Sequence, residues 1–145
     1  MCHNRAIPHE AEFYLNGNLG ELDHLAEEIR RFSSAHALDE QAAFDLNLAL
    51  EELFANSVQH GGCKGLDDAA RVRLRVVDGG QVEAEYSDRG HAFDPTQAPE
   101  PDIHAPLEAR DAGGLGIHLV RKIMQDLRYS RTDEWNRIVM RRRRL

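Results

Sequence analysis

The sequence predicts an α+β sandwich, a sheet of hairpin-paired strands with its helices gathered on one face. Three observations predict it. Segments alternating apolar and polar residues come in pairs joined by turn residues, and three other segments repeat their apolar residues at three and four. The summed order, strand, helix, helix, strand, strand, long loop, helix, strand, strand, does not fit a parallel doubly wound sheet. At 145 residues the chain is expected to form one domain over 1–145, with 1–9 mobile and the core between sheet and helices.

Each element has its own reason. Ala11 to Leu15 reads as a short strand, ended by the turn-prone Asn16-Gly17-Asn18. Leu19, Leu22, Leu25, Ala26, Ile29 and Phe32 then mark one face of a helix from Leu19 to Ala35 whose other face is charged. Asp39 is placed to cap the next helix, with Glu40 adding negative charge to its first turn. In that helix Leu46, Leu50, Leu53, Phe54 and Ser57 share one arc, and Gly61-Gly62 stops it.

Arg71 to Val76 alternates strictly, as a half-buried strand requires, and Asp78-Gly79-Gly80 reverses the chain. Val82, Ala84 and Tyr86 then alternate with Gln81, Glu83 and Glu85, completing a hairpin. The loop 95–113 holds Pro99, Pro101 and Pro106 and is too long for a simple connection, so it reads as a lid. Gly113-Gly114-Leu115-Gly116 opens onto a helix bearing Ile117, Val120, Ile123, Met124 and Leu127. A last hairpin pairs Tyr129–Thr132 with Arg137–Met140 around Asp133-Glu134-Trp135-Asn136.

Composition excludes several classes. The longest apolar run is far short of a membrane span, and the N-terminus lacks the apolar core of a signal peptide, so a cytoplasmic protein is expected. A net charge of −7 argues against general nucleic-acid binding. Arg141-Arg142-Arg143-Arg144 is read instead as the solvated tail of the last strand, blunting a sheet edge. Cys2 and Cys63 make no disulfide framework. His60 and Cys63 have a spacing that zinc uses, but no second pair stands nearby to complete four ligands.

Three segments carry residues suited to chemistry. Glu52 and Asn56 lie one turn apart on the flank of the apolar arc, which sets a carboxylate beside a carboxamide. Asp88 sits where a strand hands over to a loop. A carboxylate there can accept a hydrogen bond from an exocyclic amine such as that of adenine, with Gly90 admitting a flat ligand and Phe93 as an apolar wall. Gly113, Gly114 and Gly116 precede a helix, where free backbone N–H groups and the helix dipole hold an anion such as phosphate. Each alone has an ordinary reading: a chance helix pair, a turn, a flexible joint.

Taken in order, the three segments resemble the anti-sigma-factor serine kinases of the GHKL ATPase superfamily. Glu52-Leu53-Phe54-Ala55-Asn56 looks like the family's N box. Asp88-Arg89-Gly90-His91-Ala92-Phe93-Asp94-Pro95 is similar to the first glycine box and Gly113-Gly114-Leu115-Gly116 to the second. Asn136 to Met140 is similar to the closing strand, and the likeness runs from about Ala11 onward. Ala112 stands where the family often has a glycine.

The resemblance implies the Bergerat fold, a mixed, mostly antiparallel sheet with helices on one face. It also implies a serine/threonine kinase that phosphorylates an anti-anti-sigma protein and sequesters a sigma factor, with ATP and Mg²⁺ as cofactors. By it Asp88 binds the adenine amine, with Gly90 and Phe93 beside it; Asn56 holds Mg²⁺; Glu52 orients or deprotonates the attacking hydroxyl; and Gly113, Gly114, Leu115 and Gly116 meet the phosphates. Members of the family are often homodimers, and that too is an expectation. The alternative is an ATP-binding anti-sigma or adaptor module that switches partners without phosphorylating them.

Overall fold

In the computed structural model, which describes residues 10–97 and 114–142, the second helix is the centre of the packing. The Asp39 carboxylate accepts the Ala42 amide at 2.7 Å, satisfying a donor the helix start leaves open, and α2 runs Glu40–Gln59. The His60 and Gly61 amides both turn back to the Asn56 carbonyl. Gly62, at a φ of 85°, then leads the chain away.

Strand β1, Glu10–Leu15, buries Phe13 and Leu15. The predicted first helix opens as one tight 3-10 turn, Leu19–Glu21, and continues as α1, Leu22–Ala35. Leu25, Ile29 and Phe32 face inward, as their spacing requires. Strands β2, Ala70–Val77, and β3, Gln81–Asp88, form the expected hairpin, with Gly79 and Gly80 at positive φ in its turn.

Helix α3, Gly114–Ile123, is shorter than its apolar spacing suggests. The Met124 amide still reaches the Val120 carbonyl, but Asp126 takes a φ of 55° and β4 begins at Gln125. Leu127 therefore packs on the core from a strand and not from the helix. β4, Gln125–Thr132, turns at Asp133 and Glu134, with φ of 50° and 71°, into β5, Trp135–Arg142. Trp135 and Asn136, read from sequence as part of the turn, belong to the strand.

The strand order is β1-β2-β3-β5-β4, and all four described pairings are antiparallel, where the resemblance implied a mixed sheet. The helices cover one face. Leu46, Leu50, Phe54, Val72, Leu74, Val82, Val120 and Met140 make a core with almost no exposure, worth roughly 1.5–3 kcal/mol for each large side chain removed from water.

The other face is a lattice of charges. Glu85, 7% exposed, is paired with Arg71, Arg73 and Arg137; Glu83 is paired with Arg75 at 2.8 Å and Arg141 at 3.3 Å. Burial works against the Glu85 charge, yet the arginines, Arg137 first, outweigh it and hold the carboxyl below the usual range. Arg142 departs from the expected solvated tail. It points inward, 7% exposed, and donates through Nε and Nη2 to Asp45 Oδ2, each at 2.9 Å. A strand alternates its faces, so consecutive arginines cannot share one environment. Arg143 and Arg144 lie outside the described residues.

Candidate functional site

The end of α2 meets the end of β3 through a short chain of hydroxyls. Ser57, directly after Asn56, is 2.7 Å from the Tyr86 hydroxyl, 2.7 Å from Asp88 Oδ2 and 2.9 Å from the Leu53 carbonyl. A serine hydroxyl has one proton, and a carboxylate is the strongest acceptor in reach. Ser57 therefore donates to Asp88, and Tyr86 donates to Ser57.

The other Asp88 oxygen accepts the Gly90 amide at 2.9 Å and the Asn136 side-chain amide at 2.8 Å. Burial, and then the Asp88 charge, push the Tyr86 hydroxyl well above its ordinary range and the Cys63 thiol up to about 11. Both neighbours thus stay protonated near neutral pH, and the Asp88 charge is met by neutral donors.

Asn136, which the sequence reading placed in the last turn and at the start of the closing strand without a role in the site, is the hub of the loop. Its amide nitrogen also donates to the His91 carbonyl at 2.7 Å, while its oxygen accepts from Tyr129 Oη, Arg131 Nη1 and the Phe93 amide at 2.6, 3.0 and 3.3 Å. Asp88, Asn136 and Arg131 are register neighbours across β3, β5 and β4, which is why one amide can join them. Ser57 was read as filling the apolar arc. The missed signal was a small hydroxyl among large apolar residues, immediately after Asn56.

The segment after β3 is fastened to the end of α2. The His91 amide donates to the Gly61 carbonyl at 2.8 Å, and a Cβ on Gly90 would collide with that same carbonyl. Glycine at 90 is thus required by the loop's own packing. The Phe93 ring is 43% exposed beside it.

Glu52 and Asn56 are half-buried on α2. Glu51 is a different case: its carboxylate accepts Asn47 Nδ2 at 3.1 Å, one turn back. A Cβ on Gly116 would strike the Glu52 carboxylate, so the first turn of α3 rests directly against that acid. Gly114 and Leu115 begin α3; Gly113, and the expected lid beyond residue 97, lie outside the described residues. The three predicted segments therefore gather around one flank of α2, with Asp88 joined to the residue after Asn56 and Gly116 against Glu52.

Among the described residues no cluster of three His, Cys, Asp or Glu could hold a metal, and Cys63 is fully buried. A magnesium ion asks for less: it prefers oxygen donors and keeps several waters. The Asn56 carboxamide and the Glu52 carboxylate, both half-buried and one helical turn apart on α2, carry such oxygen donors, and their chemistry fits that ion.

Residues 16–142 match the family model of the histidine kinase-like ATPase domain. The chain is 35% identical over 97 residues to the serine/threonine-protein kinase BtrW of Bordetella bronchiseptica, covering 67% of this chain and 68% of that one. It is 32% identical over 92 residues to the serine-protein kinase RsbW of Listeria monocytogenes, spanning 61% of this chain and 58% of the relative. Its fold is similar to the solved RsbU and RsbW domains of Rv1364c from Mycobacterium tuberculosis, with a TM-score of 0.68. That likeness covers 92% of this chain and 32% of the mycobacterial one at 15% identity, and it speaks for the fold alone.

Proposed function

The chain belongs to the histidine kinase-like ATPase family, among the anti-sigma-factor serine/threonine kinases, and from that premise we propose its activity and the residues that carry it. The protein is an ATP-dependent serine/threonine kinase of the cytoplasm. It phosphorylates an anti-anti-sigma protein and, as an anti-sigma factor, sequesters a sigma subunit. Residues 1–145 make up one ATPase domain, with residues 95–113 as the ATP lid, and the family resemblance points to a homodimer.

One observation carries the reading: Ser57 ties the Asp88 carboxylate to the turn of α2 that bears Asn56. Asp88 accepts the adenine amine, with Gly90 and Phe93 lining the base. The Asn56 oxygen holds Mg²⁺, which neutralises charge on the phosphates when bound. The backbone from Gly113 through Gly114 and Leu115 to Gly116 presents amides and the α3 dipole to them.

Glu52 takes the proton of the partner's hydroxyl as its oxygen bonds to the terminal phosphorus and the bond to the departing ADP breaks. The α3 turn against Glu52 keeps that acid at the phosphate end of the cleft, away from the base end at Asp88.

The test is transfer of labelled phosphate from Mg·ATP to an anti-anti-sigma protein. Glu52→Gln is expected to lower transfer by about 10²-fold or more while nucleotide still binds. Wild-type transfer by Glu52→Gln would remove Glu52 from the role of base. The second reading, an adaptor that binds ATP without phosphorylating, is favoured by Ala112 in the second glycine box. It predicts bound nucleotide and no label on any partner.

A further inference from the structure

The face of the sheet turned away from the helices holds a pocket of about 410 Å³, within the range of small-molecule sites. Its floor follows from the register. Tyr14, Arg71, Ser87 and Arg137 stand in one row across β1, β2, β3 and β5, so the small Ser87 is flanked by two guanidinium groups. Trp135, two residues before Arg137, supplies the wall on the same face, and Arg89 lies 4.9 Å above its ring.

Glu85 answers only part of this charge. It engages Arg71 through Nη2 at 3.4 Å and Arg137 through Nε, while sharing itself with Arg73. The Arg71 Nε is buried with no hydrogen-bond partner. A guanidinium carries several N–H donors, and the one of Arg71 that Glu85 accepts, at 3.4 Å, leaves others on the same side chain, which lines the pocket. The lining itself holds Arg71 and Arg137 against the Asp133 carboxylate, with Glu85 shared among Arg71, Arg73 and Arg137 and Arg89 over the Trp135 ring.

The geometry points to a second binding site here, separate from the nucleotide cleft, in which a small oxyanion, carboxylate or phosphate, sits over Ser87 between Arg71 and Arg137 beside Trp135. Guanidinium forks match both anions in geometry. Ser87 precedes Asp88, and Trp135 precedes Asn136, so the pocket and the cleft lie back to back on the same strands. The site does not depend on the nucleotide reading.

Trp135 is the chain's single tryptophan, so intrinsic fluorescence reports on the pocket directly. The protein is titrated with inorganic phosphate, succinate and a short acidic peptide, with ionic strength held constant by sodium chloride. A saturable change is expected with at least one probe, and Arg71→Gln is expected to weaken it about tenfold or more. Arg71→Gln leaves Glu85 paired with Arg73 and Arg137, so the sheet is retained. The double variant Glu85→Gln/Arg137→Gln removes the second guanidinium without stranding a buried carboxylate, and it too loses the response.

Tighter binding of the peptide assigns the oxyanion to a protein side chain; binding of phosphate or succinate at least as tightly assigns it to a free ion. No saturable response to any probe, or curves for Arg71→Gln that overlay the wild type, overturns the site.

Discussion

The Ser57 hydroxyl and the Asp88 carboxylate stand 2.7 Å apart, joining the last turn of α2 to the end of β3. Ser57→Ala removes that bond and leaves the Tyr86 hydroxyl, on a 2% exposed side chain, without its acceptor. The expected cost is about 1–3 kcal/mol in urea denaturation, with a weaker hold on nucleotide. Adding Tyr86→Phe should cost less than the two single changes summed, because the stranded hydroxyl is gone. Unchanged stability and affinity in Ser57→Ala would mean the bond holds nothing in place.

Asn136 bears on the loop more than on the core. Asn136→Ala is expected to lower stability by at least about 2 kcal/mol, since several part-buried partners lose their mate together. Faster hydrogen exchange at the Gly90 and Phe93 amides should accompany it, because the groups that hold them depend on this residue. Exchange confined to its wild-type rate there would show that Gly61 alone secures the loop.

How much of this was legible follows from which signals are local. Asp39 as a cap, the arc from Leu46 to Phe54 and the Arg71–Tyr86 hairpin were readable because spacing and turn residues specify them without help from the rest of the chain. The helices on one face followed from the same patterns. Other features depend on partners remote in sequence.

Leu127 kept the helical period while sitting in a strand, and Asp133-Glu134 turned the last hairpin in two residues of positive φ without the usual Asn-Gly. Asn136 acquires its part only when register sets it opposite Asp88 and Arg131. Arg142 lay hidden in a run of arginines because its acid, Asp45, is 97 positions away.

That ion pair gives a third expectation. Asp45 also accepts Gln41 Nε2 at 2.8 Å, so both of its oxygens are engaged. Asp45→Ala should cost about 3–5 kcal/mol by taking a carboxylate partner from a buried guanidinium, whereas Asp45→Leu with Arg142→Met should be near neutral. Denaturation curves of the three proteins decide it. Equal losses in the single and double variants would mean that lost packing, not stranded charge, is the penalty.

Cys63 predicts a response at alkaline pH. Burial first, and Asp88 second, raise its folded value to about 11, above the unfolded thiol at about 8.5. Its contribution to stability is therefore fully present below the unfolded value and is lost as pH rises through the folded one. Urea midpoints should fall more steeply between pH 8 and 10.5 in the wild type than in Cys63→Ala. In a Cys2→Ser background, iodoacetamide should label Cys63 at pH 8 at least 100-fold more slowly folded than unfolded, since the thiolate is the reactive form. Rapid labelling of the folded protein would contradict the burial argument.

The central claim is that Asp88 and Asn56 serve one ligand from opposite ends of a single cleft. Thermal unfolding with ATP, with and without Mg²⁺, tests it most directly in the wild type, Asn56→Ala and Asp88→Asn. The wild type should gain about 2.7 kcal/mol at a hundredfold excess over Kd and more with the metal than without it. Asn56→Ala should lose only the metal-dependent part, and Asp88→Asn nearly all of it. Stabilisation of Asp88→Asn by Mg·ATP equal to that of the wild type would contradict the account.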